Sequence, residues 1–385
     1  MGRSKQDHLD PAKGRKRILA LDGGGIRGIL TLQFLKPVEA LVKQRLGKDA
    51  LLCDYFDLIG GTSTGSIIAA GLACGMTVAA LEQLYKKIGA SIFEPEGITA
   101  ILPAWLRGVL APKFPSAPLQ RELDEQLGAD TTLDSDKIRT GLMIMLKRLD
   151  TNSPWPLNNS GRGKYAAQDG ALRLTQVVRA STAAPTYFAP QQMTIQSRDG
   201  SSVAGAFVDG GVTPFNDPSL QLLMLAALQG HGFNWSTGRD KLLLVSVGTG
   251  NYRQSSNAQA ILSEIAGKQG VAALQSVLDD CARTNLATLQ WLTNCLTPWV
   301  VDRAVGDMRL DSKAGPQLAT YVRYNALLEQ DWLKALGVDL SQDKVEQLRK
   351  MDVPANMGEL ADIGAKAAAA QVKGDHLPSA FDLAA

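Results

Sequence analysis

The stretch RILALDGGG, residues 17–25, sets the first constraint on the fold. Its apolar run has no polar alternation, the pattern of a strand covered on both faces. Glycines end the run, and IRGILTLQFLKPVEALVKQRLG follows with apolar residues at helical spacing and Pro37 as a candidate kink. The texture then repeats. YFDLIGG reads as a second buried strand, GSIIAAGLACG as a tightly packed helix and TVAALEQLYKKIGASIF as a third helix. GLMIMLKRLD, VAGAFVDGG and KLLLVSVGTG read as further strands. LRLTQVVRASTAAPTYFAP, ended before Pro185, and PSLQLLMLAALQGHG read as helices. This alternation predicts an α/β fold with a mainly parallel central sheet between layers of helices.

A chain of 385 residues, 45% of them hydrophobic, is long enough for one large domain plus an extension. Residues 1–16 read as a basic polar tail and 17–254 as the α/β domain. Within that domain, 94–118 holds five prolines and apolar residues without clean periodicity, which predicts an irregular cap or lid. PWPLNNSGRGKYAAQDG reads as a long polar loop. Beyond about 255 the strand signal stops, so 255–350 is expected as a helical extension. Residues 351–385 form a C-terminal tail whose GAKAAAAQV is helical or frayed. No internal repeat is found.

The 40 Lys and Arg against 38 Asp and Glu leave a net charge of +2, which argues against a nucleic acid polymer as partner. Cys53, Cys74, Cys281 and Cys295 form no CxxC pair, so no metal site, no disulfide framework and a reducing, cytoplasmic setting are expected. The polar N-terminus does not read as a secretory signal, and no stretch approaches about 18 uninterrupted apolar residues. Membrane contact is therefore expected to be peripheral, at the inner membrane. Lys13, Arg15, Lys16 and Arg17 offer either a headgroup contact or a solvated tail.

Two glycine motifs compete for the chemistry. GGGIRG at 23–28 satisfies the dinucleotide pattern G-x-G-x-x-G, which would make the chain an NAD-dependent oxidoreductase. Asp22 stands directly before it, where its charge repels a pyrophosphate, and the next strand ends in LIGGTS rather than in a ribose-binding acid. GTSTG at 61–65 instead fits G-x-S-x-G, a strand-to-helix elbow that presents Ser63 between Gly61 and Gly65. The bare amides of Gly23, Gly24 and Gly25 then suit a developing oxyanion, helped by the positive end of the helix that follows. A non-catalytic lipid-binding module is a third class.

A nucleophilic Ser63 needs a base. His8 and His376 lie near the termini, and His231 sits in a glycine-flanked loop with no acid placed to orient it, so all three read as surface or capping residues. Asp209, which ends an apolar strand in AFVDGG, is the best candidate. A strand parallel to the one ending at Gly60 would bring it to the same sheet edge.

DGGGIRG, GTSTG and DGG, in this order, resemble the signatures of patatin-like lipid acyl hydrolases, as do RASTAAPTYFAP and LLVSVGTG. The likeness covers about residues 17–250. It implies a three-layer patatin-like fold and a Ser-Asp dyad, with Ser63 as nucleophile and Asp209 as base. It also implies an oxyanion hole at Gly23, Gly24 and Gly25 with Arg27 beside it. No cofactor is implied. Phospholipid esters are the implied substrates, with Trp105 and Phe114 either lining an acyl entry or packing the domain. Some bacterial members are membrane-lipid-degrading effectors switched on by a signalling nucleotide, a role that no residue motif here specifies.

Overall fold

The structure, a computed structural model, describes residues 3–92, 112–253 and 266–382. Its centre is a nine-stranded sheet whose hydrogen-bonded path runs β5-β6-β3-β2-β1-β7-β9-β8, with β4 paired to β3. β1 (Lys16–Leu21), β2 (Leu58–Thr62), β3 (Gly141–Arg148), β7 (Leu242–Val247), β8 (Asn294–Cys295) and β9 (Thr320–Tyr324) are mutually parallel. β4 (Ser153–Asn158), β5 (Gln191–Gln196) and β6 (Ser202–Asp209) complete it, with β4 and β6 antiparallel to β3.

The unbroken apolar runs are explained by two cores, one on each face. Along β1, Leu19 and Leu21 enter one core and Ile18 and Ala20 the other. β3 divides in the same way, Leu142, Ile144 and Leu146 against Met143 and Met145. Helices Gly28–Leu46, Thr64–Ala73, Val78–Ile92 and Leu174–Ser181 cover the first face, and helix Ser219–Ala227 covers the second. Both faces are thus dry, as parallel strands require. Among the described residues no helix is long and apolar enough to cross a membrane.

The flank of β3 fixes the site. β4 pairs with β3 along Met143–Arg148 and so occupies one edge of it. The other edge is shared: β2 takes Gly141–Met145 and β6 takes Leu146–Arg148. The two strands therefore approach from opposite directions and meet end to end, with Thr62 opposite Met145 and Asp209 opposite Leu146. The sequence expectation of a parallel β6 is corrected by this register. Asp209 reaches the carboxyl edge because β3 overshoots β2, which leaves three residues for an antiparallel partner.

Four further expectations change. The region beyond 255 carries helices Ala266–Leu292, Gln330–Ala335 and Gln342–Leu348, but it also returns β8 and β9 to the sheet. TYVRY hid its strand because Arg323 interrupts the apolar run. The C-terminal tail holds helix Met357–Gln371, whose Leu360, Ile363, Ala367 and Ala368 are buried against helix Gly28–Leu46. Gly364 lets the two backbones close, since a Cβ there would stand 3.2 Å from Leu30 Cα. PWPLN is strand β4, which tolerates Pro154 and Pro156 because only one of its edges is paired.

The N-terminus is not a solvated tail. His8, Lys16 and Arg17 are buried. Asp57 gathers His8 Nδ1 at 2.9 Å, Arg3 Nη1 at 2.9 Å and Arg17 Nη2 at 2.7 Å. Burial opposes the charge on Asp57, yet the His8 bond and the charges of Arg17 and Lys16 hold its carboxyl below the usual range. Lys16 Nζ donates to the His8 carbonyl at 2.8 Å, and Arg15 donates to Asp240 and Ala380 carbonyls at 2.7 and 2.6 Å. Lys16 and Arg17 are therefore internal structure, whereas Lys13 and Arg15 stay exposed. Of the expected cap, residues 94–111, Trp105 among them, lie outside the described residues. Phe114 is buried, stacked on Tyr187 and tilted against Phe188.

A frayed tail and a packed helix differ measurably. Leu360→Ala is expected to cost about 2–5 kcal/mol in denaturant unfolding, the range for a truncated core leucine. A cost below about 0.5 kcal/mol, the surface range, would contradict the packing.

Candidate active site

The turn after β2 positions Ser63 at φ 53°, ψ −123°, in the positive-φ region that L-residues rarely adopt. Such strain persists only where surrounding contacts enforce it. Here the Ser63 N–H donates to Ser181 Oγ at 2.9 Å, and Ser181 Oγ donates to the Met145 carbonyl at 2.7 Å. The Ser63 carbonyl accepts the Ser66 N–H at 2.8 Å. Gly61 and Gly65 let strand and helix cross. A Cβ on Gly61 would reach 2.6 Å from Ser66 N, and one on Gly65 2.6 Å from the Asp22 carbonyl. The sequence reading of these two glycines as an elbow thus has a steric basis.

Asp209 ends β6 with its N–H donated to the Ala183 carbonyl at 3.1 Å and its Oδ1 accepting the Gly211 N–H at 2.6 Å. Burial pushes its carboxyl up to about 6, opposed by a hydrogen bond from the Ser63 hydroxyl, by the Gly211 N–H and by the charge of Arg179. Serine and acid are therefore neighbours, each held by backbone bonds that fix its position. The three histidines are elsewhere. His8 binds Asp57, and His376 Nδ1 meets the Tyr324 hydroxyl at 3.1 Å. The His231 carbonyl accepts the Ser160 hydroxyl at 2.8 Å. His8 is buried rather than at the surface, which corrects the sequence reading.

The glycine turn lies against the serine: a Cβ on Gly23 would stand 3.1 Å from Ser63 Cβ. Its three amides are not equivalent. The Gly23 N–H is already donated to the Asn216 carbonyl at 3.1 Å, which removes it from the expected oxyanion set. The N–H groups of Gly24 and Gly25 have no acceptor among the described residues. The turn is braced on every side. Thr249 Oγ1 donates to the Gly23 carbonyl at 2.8 Å, the Tyr85 hydroxyl donates to the Gly25 carbonyl, and the Ile26 N–H donates to the Met351 carbonyl at 2.9 Å. Tyr85 also shares a hydrogen bond with Thr64 Oγ1 at 2.5 Å, which ties the turn to the elbow helix.

Arg27 is buried, with Nε and Nη1 lacking acceptors among the described residues. Burial lowers its pKa, opposed by Tyr252, Asp22, Tyr187 and Tyr85. Beneath the turn, Asp22 receives Arg323 Nη1 at 2.7 Å and Nη2 at 2.5 Å, and Asp217 Oδ2 stands 3.3 Å from Nη1. Burial raises the Asp22 carboxyl to about 7 against the pull of Arg323. Sequence reasoning missed Ser181, Tyr85, Asn216, Arg179 and Arg323. Ser181 and Arg179 lie in the RASTAAP segment that carried the resemblance, whereas Arg323 left no signal because its partners come from β1 and the turn before helix Ser219–Ala227.

Residues 19–222 match the family model described as patatin-like phospholipase. The chain belongs to the patatin-like phospholipase family. A Vibrio cholerae protein named cGAMP-activated phospholipase is 29% identical over 321 residues, covering 82% of this chain and 85% of that one. An Escherichia coli protein of the same name is 33% identical over 212 residues, 55% of this chain and 56% of that one. Patatin-17 of Solanum cardiophyllum is 30% identical over 246 residues, 60% of each. The chain thus spans little more than half the length of the last two relatives. Membership makes this patatin-like chain an ester-hydrolysing lipid acyl hydrolase and sets aside the oxidoreductase and non-catalytic alternatives.

Removing a partner from a buried ionic set leaves charge uncompensated. Arg323→Met is therefore expected to destabilise the patatin-like fold by about 3–5 kcal/mol in chemical unfolding. Unchanged stability would mean that Asp22 and Asp217 do not need the guanidinium.

Proposed function

We propose that this enzyme cleaves fatty-acyl esters of glycerophospholipids through a Ser63–Asp209 dyad. The observation that carries the reading is the end-to-end meeting of β2 and β6 on one flank of β3, which sets Ser63 beside a buried carboxyl whose pKa is raised to about 6. A carboxylate at its ordinary value of about 3.9 is a weak base, and raising it toward the working pH improves proton transfer.

The reaction runs in two halves. Ser63 Oγ attacks the ester carbonyl carbon as its proton passes to Asp209, and the Gly24 and Gly25 N–H groups receive the oxyanion. The tetrahedral intermediate collapses, the alcohol leaves with the proton from Asp209, and an acyl-Ser63 ester remains. Asp209 then takes a proton from water, whose oxygen attacks the acyl carbon. Return of that proton to Ser63 Oγ frees the fatty acid. The unpaired Nε and Nη1 of Arg27, beside this turn, suit the phosphodiester of such a substrate.

Regulation is part of the proposal. The likeness to the Vibrio cholerae protein extends over 82% of this chain, past the catalytic motifs into the C-terminal region. That extent supports a bacterial effector that degrades the inner membrane from the cytoplasmic side, contacts the bilayer peripherally and is activated by a cyclic dinucleotide.

Ser63→Ala is expected to lower phospholipid hydrolysis at least about 10³-fold, and Asp209→Asn about 10²–10⁴-fold, with unchanged circular dichroism. Full activity in either folded variant removes the dyad. Since Asp209 must be ionised, kcat/KM should fall about tenfold per unit as pH drops below about 6 and level off above it. Adding cGAMP to the purified protein is expected to raise turnover. A high rate indifferent to the nucleotide discards the regulatory part and leaves the chemistry standing.

A further inference from the structure

One short segment touches both members of the dyad. Ser181 Oγ accepts the Ser63 N–H at 2.9 Å, and the Ala183 carbonyl accepts the Asp209 N–H at 3.1 Å. Two residues before Ser181, on helix Leu174–Ser181, stands Arg179, only 1% exposed. Its Nη2 donates to Ser116 Oγ and, at 3.4 Å, to the Ala189 carbonyl. The guanidinium lies over the Phe188 ring, 5.0 Å from its centroid. Nε and Nη1 have no acceptor among the described residues.

A buried guanidinium ordinarily sits in an ion pair, because desolvating it unpaired is costly. Among the described residues Arg179 makes none; its helix packs against β6, the strand that ends in Asp209, and that is the carboxylate whose field it shares. Among the described residues the neighbouring cation is engaged elsewhere. Arg148, the cation on the adjoining end of β3, pairs with Asp150 at 2.7 Å. From the remaining elements Asp209 meets the Ser63 side chain, the Gly211 N–H and, across the strand pair, Leu146.

We propose that Arg179 is a positioning residue for the dyad, a buried cation, unpaired among the described residues, that keeps Asp209 ionised without bonding to it. This rests on the Ser63–Asp209 reading. A direct bidentate pair would hold the carboxylate charged but would also make it a poor base. A cation acting through its field, without a bond, balances burial against charge. Burial draws the Arg179 pKa down to about 10, opposed by Asp209, so the two groups stabilise each other's ionised forms.

The test is the pH dependence of kcat/KM on a short-chain ester for wild type, Arg179→Lys and Arg179→Met. Wild type and Arg179→Lys should share an acid limb near 6. In Arg179→Met the limb should move up by roughly one unit, because the loss of a nearby positive charge favours the protonated acid. Its plateau should return to within a few-fold of wild type. Equal loss at every pH with the limb unmoved would reduce Arg179 to packing and overturn the proposal, while the dyad would stand.

A wild-type profile without an acid limb, together with an active Asp209→Asn, would sink the dyad itself. Melting curves cover a poorly folding variant. Arg179→Met should lose more stability at pH 8 than at pH 5.5, since an acid raised in the folded state costs stability above its unfolded pKa. Arg179→Met with Asp209→Asn should recover that difference. A loss that is indifferent to pH and not rescued by Asp209→Asn also overturns the proposal.

Discussion

The shared flank of β3 is the constraint on which the site depends. A strand has two hydrogen-bonding edges. With β4 on one, the other must serve both β2 and β6, and their ends must abut. This places a strand-to-helix turn and a strand-to-loop turn against each other. Neither Ser63 nor Asp209 needs a long side chain to bridge a gap, and backbone bonds to Ser181 and Ala183 fix both. The site is thus assembled by main-chain geometry before any side chain is considered.

Around that junction the protein distributes buried charge in two ways. Under the glycine turn, Arg323 is bonded to Asp22 and stands close to Asp217, so its charge is locked into structure. Near Ser63 and Asp209, Arg179 and Arg27 keep donors without acceptors among the described residues. Paired charges brace the turn, and in the proposed reaction the others would supply a field where charge develops. The paired set draws on β1, on the turn before helix Ser219–Ala227 and on β9, so distant parts of the chain support one turn.

Much of this was legible in the sequence because the decisive signals were local. Glycines at 23–25, 61 and 65 flag backbone approaches that side chains would block, and the apolar runs before them mark buried strands. Ser63 and Asp209 stand at the ends of such runs. The rest depended on contacts between segments far apart in the chain. β9 was hidden by Arg323, a charge that belongs in a strand only once Asp22 lies beneath it. The buried His8 and Arg17 looked solvated because Asp57, their partner, is 40 or more residues away. The direction of β6 was read as parallel because a strand's own residues do not state how far its neighbour overshoots. Which glycine amide stays open was likewise invisible, since it depends on Asn216 folding back onto Gly23.

The end-to-end meeting of β2 and β6 also sets how the gene can change length. Side chains alternate across a sheet, so inserting one residue between Phe207 and Asp209 would rotate the acid to the opposite face. Inserting two would restore the face but carry the carboxylate past the serine by about 6–7 Å. Additions in the exposed Ser197–Ser201 hairpin turn, behind β6, leave that alignment alone. On the dyad reading, length variation is therefore tolerated at one end of this strand and costs the chemistry at the other.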